Sequence, residues 1–112
     1  MKPLLSALAL ALACAGAPAQ EAAPQPGAAR QAQLLRLLRQ DCGSCHGMRL
    51  TGGLGPALTR QALAQIPPDS LAATIFHGRP GTPMPGWSSF MSAEEAQWLA
   101  QRLRAGVPEE SR

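Results

Sequence analysis

A chain of 112 residues with a formal net charge of +3 is long enough for one small domain and too short for several. Its basic residues are scattered and form no cluster of about five or more, which excludes a typical nucleic-acid-binding protein. With two Trp, two Phe and no Tyr, the side chains alone build only a modest core.

The N-terminal residues have the pattern of a cleaved export signal. Lys2 provides a basic start, and the apolar stretch over residues 4–13 is too short to span a bilayer as a helix. Ala17-Pro18-Ala19 then places small residues at both positions that signal peptidase recognises. We predict a signal peptide over residues 1–19, export to the periplasm, and a flexible leader over residues 20–28.

One of the three cysteines, Cys14, falls inside this signal and would be lost on cleavage. A lipid anchor on Cys14 is the alternative. Ala11-Leu12-Ala13 matches the usual lipobox poorly, because that motif begins with Leu. The sequence therefore favours removal of Cys14 with the signal peptide.

The folded domain is predicted over residues 29–107, with a frayed tail over residues 108–112. Its first helix is expected over residues 29–41, where leucines recur at the spacing of one helix face. These are Leu34, Leu35, Leu37 and Leu38. The helix leads directly to a pair of closely spaced cysteines.

Cys42-Gly43-Ser44-Cys45-His46 has the spacing by which haem c is attached covalently. Residues i and i+3 lie on the same side of a helical turn, so both sulfurs can reach the two vinyl groups of one porphyrin. His46 then lies under the iron, where it can act as an axial ligand. The small residues Gly43 and Ser44 are expected to let the backbone approach the macrocycle.

Three other uses of the cysteine pair are weaker. A thioredoxin-like redox site normally lies in a βαβ setting, which the sequence does not suggest. A zinc site needs a second pair of ligands that is absent from the sequence. A plain structural disulfide leaves the adjacent His46 unexplained.

The next stretch, residues 48–58, contains Gly52, Gly53, Gly55 and Pro56 and is predicted to be a loop on the proximal side of the haem. A metal-bound histidine usually donates its other ring N–H to a carbonyl or carboxylate oxygen. The carbonyl of Pro56 is our candidate for that partner of His46, and the alternative is a simple turn proline.

Two short helices are expected next. Thr59 is predicted to cap the first, which runs to about Gln65 and stops at Pro67-Pro68. Asp69 is predicted to cap the second, which runs to Phe76 before Gly78.

Residues 79–87 contain three prolines and two glycines, which exclude a helix or a central strand. Met84 lies between Pro83 and Pro85, and the following proline holds its backbone in an extended conformation. Such a stiff loop is suited to holding a thioether opposite His46 as the sixth iron ligand.

Three other residues are weaker candidates for that position. Met48 is too close to His46 in the sequence to reach the opposite side, and Met91 adjoins the last helix, where a core role is more common. His77 is chemically suitable as a ligand, but its position at a helix end favours a solvated side chain.

Sequence patterns mark both the start and the end of the last helix. Ser92 and Glu95 form the pattern of a capping box. The helix is predicted to run to about Ala105, because Gly106 and Pro108 then prevent its continuation.

Taken together, residues 34–105 resemble a class I cytochrome c. The resemblance rests on the attachment motif, Gly55-Pro56-Ala57-Leu58, Met84-Pro85 and a C-terminal helix that carries Trp98. It implies an all-α fold of about four short helices around one covalently attached haem c. It also implies that the terminal helices cross in contact, with Trp98 against the leucines of the first helix.

A narrower resemblance, to the NirC-type small cytochromes of denitrifying bacteria, rests on residues 41–47, Gly52-Gly53-Leu54-Gly55 and residues 78–85. It implies work with a cytochrome cd-type nitrite reductase, as electron donor or in maturation of its special haem. Because an iron capped by Met84 has no open position for a substrate, we expect a monomeric carrier of single electrons and not an enzyme. Arg79 and Trp87 flank the Met84 loop and are candidates to donate hydrogen bonds to the haem propionates. The alternatives are a solvated loop charge for Arg79 and a core aromatic for Trp87. The alternatives to an electron carrier are a factor that matures the reductase's special haem, and a gas-binding or catalytic protein with a labile sixth ligand.

Overall fold

A computed structural model of the chain describes Gly16 and residues 24–107. The rest of the predicted signal peptide, including Cys14, the first residues of the leader and the predicted tail lie outside the described residues. All regular structure in the described part is helical, which confirms the predicted all-α class. No helix in that part is both long and apolar enough to cross a membrane.

The first helix continues without a break through the cysteine motif. Helix α1 (Ala28–Leu37) passes into a π-helical segment (Leu38–Cys42) and then into α2 (Gly43–His46). The predicted helix over residues 29–41 is confirmed, and the wider π-helical turn at its end was not predicted. Gly47 then ends the helical run with a φ of 92°, a conformation that favours glycine.

The two middle helices differ from prediction at their ends. Helix α3 (Arg60–Leu63) is capped by the Thr59 hydroxyl, which accepts a hydrogen bond from the Ala62 N–H at 3.2 Å, as expected. Helix α4 (Pro68–His77) begins before Asp69, so the prediction that Asp69 caps it was wrong. Pro68 suits the first helical position because no N–H is needed there, and Asp69 lies in the first turn beside the positive end of the helix dipole.

The predicted capping box at the start of α5 (Ala93–Ala105) is confirmed. The Ser92 hydroxyl accepts a hydrogen bond from the Glu95 N–H at 3.2 Å, and the Glu95 carboxylate accepts one from the Ser92 N–H at 3.0 Å. Two donors that the first turn would otherwise leave unpaired are thereby satisfied.

One hydrophobic core joins the long helices. The most extensive helix–helix contact is between α4 and α5, and Leu34 of α1 is completely buried in the same core as Leu99 of α5. Ala96 and Ala100, both fully buried, keep α5 narrow enough for close packing. Trp98 belongs to this core, and the Arg102 guanidinium lies over its ring in a cation–π contact. Helices α1 and α5 therefore share a core, although the contact of α5 with α4 is more extensive than its contact with α1.

An ion pair fastens α1 to α5 at the edge of this core. The Arg30 guanidinium donates to both carboxylate oxygens of Glu95, at 2.7 and 3.0 Å, and also to the Phe90 carbonyl at 2.7 Å. Glu95 is thus shared between the helix cap and the ion pair, and its hydrogen bond with Arg30 holds the pKa of its carboxyl below the usual value.

This lowered pKa predicts a contribution to acid stability. Because the folded protein holds the pKa of Glu95 below its unfolded value of about 4.3, the stabilisation is complete above that pH and is lost as the pH falls through the lowered pKa. Thermal unfolding from pH 7 to pH 3 should therefore show a smaller loss of stability in Glu95→Gln, whose amide can still cap the helix. Identical acid sensitivity in the two proteins would contradict the assignment.

Candidate haem site

The described helices and loops enclose one large cavity of about 740 Å³, within the range of roughly 300–1,000 Å³ that small-molecule sites occupy. All seven predicted site residues line it. They are Cys42, Cys45, His46, Pro56, Arg79, Met84 and Trp87. Most of the remaining wall is apolar and includes the core leucines Leu63, Leu99 and Leu103. Its size, apolar wall, two thiols and imidazole fit a haem c.

No disulfide joins Cys42, which is half-buried, to Cys45, which is exposed. Burial, with a smaller effect of the Asp41 carboxylate, raises the pKa of the Cys42 thiol to about 11. A thioredoxin-like site needs a lowered thiol pKa, so this environment is the opposite of what that alternative requires. Among the described residues, no group of three or more His, Cys, Asp or Glu side chains could hold a metal ion.

His46 is oriented by the loop that follows it. Its Nδ1 lies 2.7 Å from the carbonyl oxygen of Pro56, the partner expected from the sequence. Because a carbonyl oxygen can only accept a hydrogen bond, this contact requires the proton on Nδ1. The lone pair of Nε2 is then available for a metal.

Gly55 packs against the His46 imidazole, a role that sequence reasoning missed. A Cβ at this position would lie 2.7 Å from Cε1 and 2.8 Å from Nδ1 of the ring. By contrast, Gly43 and Ser44 are not among the residues that line the cavity, and the expectation that their small size lets the backbone approach the macrocycle stays a prediction. Gly43 faces Met48, and the Ser44 hydroxyl donates to the Asp41 carbonyl at 2.7 Å. The signal that could have indicated Gly55 was its place directly before Pro56.

Met84 lies on a loop whose base is hydrogen-bonded to the end of α4. The Arg79 N–H donates to the Met84 carbonyl at 3.1 Å, and the Trp87 N–H donates to the Ile75 carbonyl at 3.1 Å. Gly86 allows the loop to approach the helix closely, since a Cβ there would lie 2.9 Å from the His77 carbonyl oxygen. This arrangement places the Met84 side chain in the wall of the cavity.

The other candidates for the sixth position do not line the cavity. Met48 is 70% exposed, and Met91 is buried in the hydrophobic core. The His77 ring packs edge-on against Phe76, with centroids 4.9 Å apart. Of the four residues considered, Met84 is the one whose position suits axial ligation.

Known proteins resemble the chain over most of its length. A family model described as cytochrome C oxidase, cbb3-type, subunit III matches residues 29–101. Cytochrome c55X of Stutzerimonas stutzeri is 56% identical over 105 residues, which cover 94% of this chain and 86% of that protein. A solved structure of c-type cytochrome NirC is 62% identical with a TM-score of 0.71, and the match covers 73% of this chain and 96% of that one.

A third similarity is to part of a longer protein. Dihydro-heme d1 dehydrogenase of Pseudomonas aeruginosa is 38% identical over 74 residues, which cover 66% of this chain and 15% of that protein. The cavity, the attachment motif and these similarities lead to one assignment. The chain belongs to the class I cytochromes c, which bind haem c covalently, and within them to the NirC type.

Proposed function

We propose that the chain carries single electrons in the periplasm on one haem c. In this proposal Cys42 and Cys45 would attach the haem through two thioether bonds, and His46 and Met84 would bind its iron. The observation that carries the proposal is that these four side chains line one cavity. When bound, haem c supplies reversible one-electron chemistry between ferric and ferrous iron.

The protein's own contribution is to hold two ligands in fixed places. The Pro56 carbonyl orients the His46 ring, and the prolines on both sides of Met84 restrict its backbone. A methionine in the sixth position leaves no open site for a substrate and raises the reduction potential relative to a bis-histidine site. These properties suit an electron carrier better than an enzyme.

Two side chains of the wall are suited to the haem propionates. Arg79 is the one Lys or Arg side chain among the residues that line the cavity, and a guanidinium forms charge-assisted hydrogen bonds with carboxylates. Trp87, also in the wall, carries an indole N–H that can only donate. We assign both to propionate binding, with Arg79 as the principal partner because it also compensates charge.

A nitrite reductase of the cytochrome cd type is the electron acceptor we propose. The support is the similarity to c-type cytochrome NirC together with the sequence features of that type. A role in maturation of the reductase's special haem is the second candidate. It is favoured by the similarity to part of dihydro-heme d1 dehydrogenase.

Deleting the protein from its own cells separates these two functions. If it donates electrons, reductase purified from the deletion strain should contain its full set of haems and reduce nitrite normally with an artificial donor, while the intact cells reduce nitrite slowly. If it acts in maturation, the purified reductase should lack its special haem and stay inactive with any donor. Normal nitrite reduction by the deletion strain would contradict both functions.

A further inference from the structure

Thr82 forms hydrogen bonds with both Arg79 and Met84 within the loop that carries Met84. The Thr82 hydroxyl donates to the Arg79 carbonyl at 2.6 Å and accepts a hydrogen bond from the Met84 N–H at 3.3 Å. Its own N–H donates to the same carbonyl at 3.1 Å. We propose that Thr82 is a positioning residue whose hydroxyl fixes the Met84 backbone and thereby holds the thioether at the iron. This inference rests on the proposed function, in which Met84 is an axial ligand.

The prolines on both sides of Met84 explain why the Thr82 hydroxyl matters. Pro83 and Pro85 have no N–H, so Met84 supplies the single amide donor between residues 83 and 85. That donor is directed at the Thr82 hydroxyl. Because a hydroxyl donates and accepts at once, Thr82 links the Met84 N–H to the Arg79 carbonyl, whereas valine, of nearly the same shape, can do neither.

Hydrogen bonds hold the tip of this loop, where Thr82 also lines the cavity beside Met84. A Cβ at Gly81 would meet no atom within 4 Å, and Thr82 itself is exposed. At the base, the Arg79 N–H donates to the Met84 carbonyl at 3.1 Å. Both backbone polar groups of Met84 are therefore bound within the loop, and loss of the Thr82 hydroxyl would release the N–H while leaving the carbonyl held.

The test uses the haem-loaded protein and compares Thr82→Val with Thr82→Ser, which keeps the hydroxyl. Added imidazole competes with Met84 for the sixth position of the ferric iron, so its apparent affinity reports how firmly Met84 is held. We expect Thr82→Val to raise this affinity about fivefold, the factor that corresponds to one ordinary intramolecular hydrogen bond. The methionine-dependent charge-transfer band of the ferric spectrum should weaken in parallel, and Thr82→Ser should restore both readouts.

Thr59→Val is the matched control, because it removes a hydroxyl that caps α3 and does not line the cavity. It should lower the unfolding temperature without changing the imidazole affinity. The inference would be overturned if Thr82→Val bound imidazole as wild type does, if Thr82→Ser behaved like Thr82→Val, or if Thr59→Val had the same effect. An unchanged spectrum in Met84→Ala would instead overturn the proposed ligand itself.

Discussion

Replacement of Met84 by alanine is expected to open the sixth position of the haem iron. Of the four candidates for that position, Met84 is the one that lines the cavity, so no other is placed to substitute for it. The ferric spectrum should lose its methionine-dependent band, and the ferrous protein should bind carbon monoxide at neutral pH. The reduction potential should fall by on the order of 100 mV, a fraction of the roughly 0.8 V range that axial ligands span.

The other two methionines of the described domain provide matched controls. Met48→Ala should leave both spectrum and stability near wild type, because the side chain is 70% exposed. Met91→Ala should destabilise the protein by about 2–5 kcal/mol, because Met91 is only 5% exposed in the core, yet the folded fraction should keep the wild-type spectrum. A Met84→Ala spectrum identical to wild type would contradict the assignment. Binding of carbon monoxide by the unmodified protein would instead support the gas-binding alternative.

Features that depend on a few neighbouring residues could be predicted from the sequence. The Thr59 cap needs one side chain and a backbone N–H three residues away, and the capping box needs two such contacts, both between Ser92 and Glu95. The contact between His46 and the Pro56 carbonyl was also predictable, because a metal-bound histidine usually donates its other ring N–H to a carbonyl oxygen and Pro56 lies in the loop that follows α2.

Features that depend on the exact path of the folded backbone could not be predicted from the sequence. The π-helical turn (Leu38–Cys42) is one such feature, and the position of Gly43 beside Met48, directly after that turn, is another. Asp69 and Pro68 were both acceptable near a helix start, and the sequence offered no way to rank them. The close contact of Gly55 with the imidazole arises only after the loop has folded back onto α2.

Substitution of Gly55 by alanine is the second change from which we expect a large effect. The His46 ring is confined on two sides, by the Pro56 carbonyl oxygen at 2.7 Å from Nδ1 and by the backbone of Gly55. A Cβ at Gly55 would lie 2.7 Å from Cε1 and 2.8 Å from Nδ1, closer than real Cβ atoms approach. Gly55→Ala must therefore move either the ring or the loop, and either movement disturbs the contact with Pro56.

The expected result is a protein that loses the six-coordinate spectrum and unfolds more readily, by about 1–3 kcal/mol, the usual cost of overpacking. Backbone strain is not the cause, because Gly55 is not among the glycines with positive φ. The measurements are the visible spectrum, the unfolding temperature, and the fraction of exported protein that carries covalent haem.

Gly43→Ala is the matched control, since it adds the same methyl group inside the attachment motif. Its nearest contact would be the Met48 sulfur at an ordinary 3.5 Å, and its helical φ of −60° accepts alanine. Alanine should even stabilise this helical turn by roughly 0.5–1 kcal/mol. If Gly55→Ala kept the wild-type spectrum and stability, the imidazole would not be confined by Gly55. If both substitutions damaged the protein equally, the motif itself would be the sensitive feature, and the space beside the His46 ring would not explain the effect.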